Sequence, residues 1–322
     1  MVRNFLLLVL LAPLAAVAQQ PKIYRIAVLE RDASGQTGPN FAALRQGFRE
    51  LGYVEGRNIA IGYRASDGDD ARYPALCADA VKLEADLIVV RGAAGAAACR
   101  KATSSIPIIF TGVADPVARG LVADVGRPGG NVTGIMFPSG PIVTAARLEL
   151  LRQVFPKITR IAAMMNLGGP ELGRARQQLE SAGRDFGISV EVFDVRSLVD
   201  LRTAFAQAAN ERLEAVYVVG DALMEANRKL VGDLGLRHGL PTMTAESSFV
   251  EAGSLLSYGT DTSAQYKRVP AIADRIFRGG KPAEIPVERP TLFSVAVNLK
   301  TAKALGARVP RYVLSRADRV IQ

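Results

Sequence analysis

The chain has 322 residues, 40 Lys and Arg against 31 Asp and Glu for a formal net charge of +9, one His, two Cys, no Trp and 49% hydrophobic residues. That length accommodates roughly two domains of about 150 residues, and the composition excludes a disordered, collagenous or disulfide-dense chain. With His238 as its one imidazole, the chain builds neither a His-rich zinc site nor a di-His metalloprotease helix, and a His-based triad would have only that residue to use.

At the amino terminus one cation, Arg3, precedes an apolar run from Phe5 to Leu14, and the small residues Ala16-Val17-Ala18 follow. This is the build of a secretory signal peptide over residues 1–18, cleaved after Ala18. A permanent membrane anchor needs about 20 apolar residues; this run is shorter and is interrupted by Pro13. The mature protein is therefore expected to be exported and not membrane-embedded. Its cations are scattered (Arg45, Arg49, Arg57, Arg64, Arg72, Lys82) rather than gathered into a stripe. On an exported protein they read as a solvated basic surface, with no nucleic acid as partner.

The elements follow in order. Tyr24 to Leu29 reads as a strand, Asn40 to Leu51 as a helix with Phe41, Leu44, Phe48 and Leu51 on one face, and Gly52 as its stop. Asn58 to Arg64 is a strand, Tyr73 to Leu83 a helix, Asp86 to Arg91 a strand, Gly95 to Thr103 a helix and Pro107 to Thr111 a strand. Short apolar strands, each followed by a helix, imply a parallel sheet covered on both faces. After the turn-rich stretch Arg127 to Gly134 the pattern restarts: helix Thr144 to Val154, strand Arg160 to Met165, helix Leu172 to Gly187, strand Ser189 to Val195 and helix Val199 to Asn210. Strand Ala215 to Val219, helix Leu223 to His238 and strand Pro241 to Thr244 complete the repeat. Late segments remain: strand Ser254 to Tyr258, helix Thr262 to Arg278, an extended linker from Pro282 to Pro290, strand Phe293 to Val297 and helix Leu299 to Leu305. An α/β chain of two similar lobes follows, with the cleft between them as the natural ligand site.

Four segments carry a family resemblance: FRELGYVEGRNIAIGY (Phe48 to Tyr63), GRPGGNVTG (Gly126 to Gly134), FVEAGSLLSYG (Phe249 to Gly259) and NLKTAKALG (Asn298 to Gly306). They resemble the substrate-binding proteins of ABC importers, in the subfamily that includes tryptophan- and tyrosine-type binders, and matching segments run from about Arg25 to Ile321. The resemblance implies a type I periplasmic-binding-protein fold, α/β, with two doubly wound parallel-sheet lobes joined by a three-segment hinge. It places the crossings near Gly134 to Phe137, Ser257 to Thr260 and Glu288 to Phe293. Lobe I would hold 22–135 plus 260–289 and lobe II 136–259 plus 290–322. It further implies a periplasmic monomer that hands its ligand to a membrane permease with an ATPase partner.

In open α/β sheets, ligands sit at the carboxyl ends of strands. The first candidate loop, Glu30 to Ser34, offers Arg31 and Ser34. The next, Gly92-Ala93-Ala94-Gly95, opens a helix and presents backbone N–H groups to a carboxylate; relatives often have a hydroxyl residue where this chain has Ala93. Thr111, Gly112 and Asp115 follow the next strand, Asp115 being equally suited to cap a helix before Pro116. Phe137 stands at the first crossing. In the second lobe the candidates are Asn166, then Asp221, which suits either a ligand ammonium or a helix N-cap, then Glu246 with Ser247, and Tyr258 at the hinge. His238 ends a helix, where a cation favours the last carbonyls, and has no catalytic partner nearby in the sequence.

In a sheet of order 2-1-3-4-5 the helices after strands 2 and 3 are neighbours on one face. Cys77 falls on the first and Cys99 on the second, so an oxidising compartment allows a disulfide, with two buried thiols as the alternative. The expected function is capture of a small organic solute, an amino acid or small carboxylate, with no cofactor and no metal. A sensory module for a membrane receptor would share every feature but the partner. A secreted enzyme on the same fold would need a nucleophile elbow or a paired-carboxylate motif, and the sequence has neither.

Overall fold

The computed structural model describes residues 22–137, 139–168, 172–289 and 293–322; the expected signal peptide, residues 1–18, lies outside them. The first half runs β1 (Tyr24–Glu30), α1 (Pro39–Glu50), β2 (Ile59–Ala65), α2 (Tyr73–Lys82), β3 (Leu87–Arg91), α3 (Ala93–Ala102), β4 (Ile108–Val113) and β5 (Val132–Met136). The second runs α4 (Pro141–Val154), β6 (Arg160–Met165), α5 (Leu172–Asp185), β7 (Ser189–Asp194), α6 (Leu198–Asn210), β8 (Val216–Val218), α7 (Ala222–Ala226), α8 (Arg228–Arg237), β9 (Thr242–Thr244), α9 (Ser247–Glu251) and β10 (Leu256–Thr260). The chain ends with α10 (Thr262–Phe277), β11 (Phe293–Asn298), α11 (Leu299–Ala304), α12 (Arg311–Leu314) and β12 (Arg319–Ile321).

Two α/β lobes result. The first sheet has the order β2-β1-β3-β4-β5, all parallel. The second begins β7-β6-β8-β9-β10, the same winding, and is extended by β11, antiparallel to β10, and by β12, parallel to β11. Side chains alternate across the first sheet as a pleated strand requires. Leu87 and Val89 pack with Phe41, Leu44 and Phe48 of α1 and Tyr266, Val269 and Ile272 of α10. Ile88 and Val90 pack on the opposite face with Leu76 and Cys77 of α2 and Ala96 and Cys99 of α3.

The hinge follows from where strands end. The chain leaves the first sheet after Met136, and β10 returns it at Thr260 to α10, which packs against α1. Residues 285–289 then run beside β5: the Met136 N–H donates to the Glu288 carbonyl at 2.9 Å and the Glu288 N–H to the Gly134 carbonyl at 2.9 Å. Gly134 is required there, because a Cβ would overlap the backbone and ring of Phe110 on β4.

Differences from the sequence reading are local. The stretch read as a turn ends in β5, because Val132 and Ile135 are buried beside β4. The helix expected from Leu223 to His238 is two, broken at Asn227, whose side chain donates to the Leu223 carbonyl at 2.9 Å. β12 and the short α9 went unread, being a single turn of helix and three residues of strand with little periodicity to show.

Cys77 and Cys99, both fully buried, are bonded to each other with Cα atoms 5.0 Å apart, joining α2 to α3. The loop they close spans 22 residues, and such a cross-link stabilises by about 3 kcal/mol in the chain-entropy model. Replacing both with Ala is expected to lower the melting temperature by roughly 6–12 °C; differential scanning calorimetry showing no change would mean the bridge contributes nothing to stability.

Candidate ligand-binding cleft

The carboxyl ends of both sheets face one another across a cleft, and a cavity of about 450 Å³ opens there. Nine of the residues selected from sequence line it: Arg31, Ala93, Ala94, Gly112, Asp115 and Phe137 from the first half of the chain, and Asn166, Asp221 and Glu246 from the second. Gly112 has φ +70 and sits where the β4–β5 register slips, so the strand bulges towards the cavity. α3 begins at Ala93 directly after Gly92, whose φ is +84 and which provides no capping side chain. The first N–H groups of α3 are thus not capped by a side chain of the N-cap residue, the arrangement that suits a carboxylate or other anion.

The other selected residues lie elsewhere. Gly92 backs the cavity: a Cβ there would overlap the Arg31 guanidinium, which is laid against it. Thr111 is buried, its hydroxyl donating to the Tyr266 hydroxyl at 3.3 Å. Tyr258 stacks on Phe293 with ring centroids 5.5 Å apart, its carbonyl accepting from Arg147 Nε at 2.7 Å; it braces the β10–β11 pair and is not among the cavity-lining residues. The Ser34 side chain lies outside the described residues. Asp115 accepts from the Ala118 N–H at 2.9 Å and pairs with Arg174 across the cleft at 3.1 Å. Asp221 caps α7 through the Met224 N–H at 2.8 Å while also facing the cavity, so the cap is formed and leaves the carboxylate lining the cleft.

Sequence reasoning missed the deepest feature. Arg91, the last residue of β3 and nearly fully buried, sends Nη2 to both Glu246 oxygens at 3.0 and 2.9 Å and Nε to Glu225 Oε2 at 3.3 Å. Arg31 Nη1 lies 2.7 Å from Glu225 Oε1. Two arginines of the first lobe thus meet two glutamates of the second, and Arg228 adds a contact to Asp32 at 3.1 Å. This lattice separates the main cavity from a smaller one of about 200 Å³ behind it; Arg31, Glu225 and Glu246 line both.

Burial would raise the Glu225 carboxyl, but the charges and hydrogen bonds of Arg31 and Arg91 hold it below its usual value. For Glu246 burial prevails over Arg91 and the carboxyl is raised. Glu30, at the end of β1, is pushed up to about 7 by burial, against the opposing pull of Arg91; the Tyr266 hydroxyl donates to it. Burial also raises Asp221 and Asp70, the second of which reaches the cavity from the loop after β2.

The signals were present. Arg91 ends a strand, Leu87 to Arg91, that is otherwise apolar. Glu225 lies one helical turn after Asp221, on the same face, and Asp70 follows a strand end by the rule that selected the other loops.

The model of the family described as ABC transporter substrate binding protein matches residues 26–321. The chain belongs to this family. Among curated proteins it is similar to a tyrosine-binding protein of Clostridioides difficile, 26% identical over 271 residues, covering 83% of this chain and 77% of the relative. Among solved structures, a conserved domain protein of Vibrio cholerae is 25% identical with a TM-score of 0.84, covering 92% of this chain and 99% of that one. An ABC domain of Streptococcus pneumoniae in complex with L-Trp is 24% identical with a TM-score of 0.84, covering 93% and 100%; that likeness establishes the type I periplasmic-binding fold. Among the described residues no helix is long and apolar enough to cross a membrane.

Proposed function

We propose that the protein, exported and freed of residues 1–18, captures an amino acid or small carboxylate between lobe I (22–135 plus 260–289) and lobe II (136–259 plus 290–322). It delivers this solute in the periplasm, as a monomer and without catalysis, to a membrane permease driven by an ATPase. The observation that carries the reading is the cavity of about 450 Å³ lined from both lobes, with uncapped helix N–H groups at Ala93 and Ala94 on one wall and Asp221 on the other. A ligand carboxylate fits the first and an ammonium the second. A ligand that touches both lobes stabilises their contact and presents a joint surface to the permease. The tyrosine named for the relative from Clostridioides difficile and the L-Trp of the Streptococcus pneumoniae structure support an amino-acid ligand.

Mass spectrometry of what co-purifies, followed by a thermal-shift screen of amino acids and carboxylates, tests this. Asp221→Asn keeps the α7 cap, since Asn caps as well as Asp, and is expected to weaken an ammonium-bearing ligand by roughly tenfold or more. A screen in which no amino acid or carboxylate raises the melting temperature would overturn the reading.

A further inference from the structure

The chain is basic, with 40 Lys and Arg to 31 Asp and Glu, yet the main cavity reverses that balance. Among the described residues five carboxylates line it, Asp70, Asp115, Asp221, Glu225 and Glu246, against two cations, Arg31 and Arg119. Counting Arg91 and Arg174, which pair with Glu246 and Asp115, acid still exceeds base by five to four. Among the described residues Phe137 is the one aromatic ring in the lining, so a large aromatic side chain would find a single platform among charges. A zwitterionic ligand leaves the excess negative charge in place; a ligand of net charge +1 neutralises it.

Resting on the amino-acid reading above, we propose that the solute is cationic: a basic amino acid whose side-chain amine or guanidine is held by Asp70 while its α-ammonium meets Asp221. These two carboxylates approach from opposite lobes on segments that touch. Gly68, two residues before Asp70, lies against α7, where a Cβ would press on that of Ala226. Asp221 caps the same helix. Among the described residues neither carboxylate forms an ion pair, whereas Asp115, Glu225 and Glu246 each do. Burial disfavours ionisation of both and outweighs the pull of Arg31 on each and of Arg119 on Asp70, so a cation between them adds the direct ion-pair partner that the other three already have.

The test is isothermal titration of the full mature protein at pH 7.5 with L-arginine, L-lysine and L-ornithine, with L-citrulline as the uncharged arginine analogue, with L-tyrosine and L-tryptophan, and with putrescine. Binding of a basic amino acid, at least tenfold weaker for citrulline and at least tenfold weakened by Asp70→Asn, supports the proposal. Asp70→Ser serves where the Asn variant fails to fold. Preferential binding of tyrosine, tryptophan or citrulline, or affinity for a basic amino acid unchanged in the Asp70 variant, overturns it and leaves the amino-acid reading standing. Putrescine alone sinks the amino-acid reading and keeps the cationic one; no response to any probe overturns the cationic proposal, while the wider amino-acid or carboxylate reading stands or falls by the thermal-shift screen above.

Discussion

Arg91→Met is expected to separate the lobes and to weaken ligand retention on the order of 10²–10³-fold. Among the described residues Arg91 alone forms an ion pair with Glu246, and Glu246 is nearly fully buried. Removing one partner of a buried ion pair typically costs about 3–5 kcal/mol, because the other charge is left without compensation. Here the two partners belong to different lobes, so the cost falls on the contact between them and not on the folding of either. Small-angle scattering should record a larger radius of gyration, and titration with the co-purified ligand a weaker affinity. The Arg91→Met, Glu246→Leu double variant removes both charges and should recover most of the compactness, since replacing a whole buried pair by apolar groups is often neutral. Acidification should also soften the single variant: the Glu246 carboxyl is already raised by burial and would accept a proton more readily once Arg91 is gone. An unchanged radius of gyration, or a single variant no different from the double, would show that the pair does not hold the lobes together.

Much of this architecture was legible because strands and helices announce themselves by period. Leu87 to Val90 alternate between two cores, and the rule that loops after strands face the ligand brought nine residues to one cavity. What stayed hidden depends on partners distant in sequence. Arg91 and Glu246 are 155 residues apart, and nothing local to either says that a strand-ending arginine will be buried against a glutamate from the other lobe. Tyr258 misled for the same reason: an aromatic at a crossing suits a ligand, but its ring is taken by Phe293 once β11 pairs antiparallel with β10. At Asp221 the cap reading holds without taking the residue out of the cavity lining, since a carboxylate has lone pairs enough to cap a helix and face a cavity at once.

Glu30→Gln is expected to stabilise the first lobe in a strictly pH-dependent way. In the folded protein Glu30 is pushed up to about 7, chiefly by burial, while in the unfolded chain it titrates near the ordinary value of about 4.3. Below the unfolded value both states hold the proton, and the carboxyl behaves as the neutral hydrogen-bonding group that Gln imitates. As pH rises from there towards 7 the unfolded state releases its proton first, so it binds fewer protons than the folded state and stability falls. Above about 7 both are ionised and the penalty is complete, about 3–4 kcal/mol from the size of the shift. Denaturant midpoints of wild type and Glu30→Gln should therefore coincide near pH 4, diverge through pH 5–7 in favour of Gln, and run parallel above pH 8. Arg91 opposes the burial that raises Glu30, so the divergence should widen in the Arg91→Met background, tying the titration of this carboxyl to the same guanidinium that bridges the lobes. A difference between the two proteins that is constant from pH 4 to pH 8 would mean that Glu30 titrates normally in the fold.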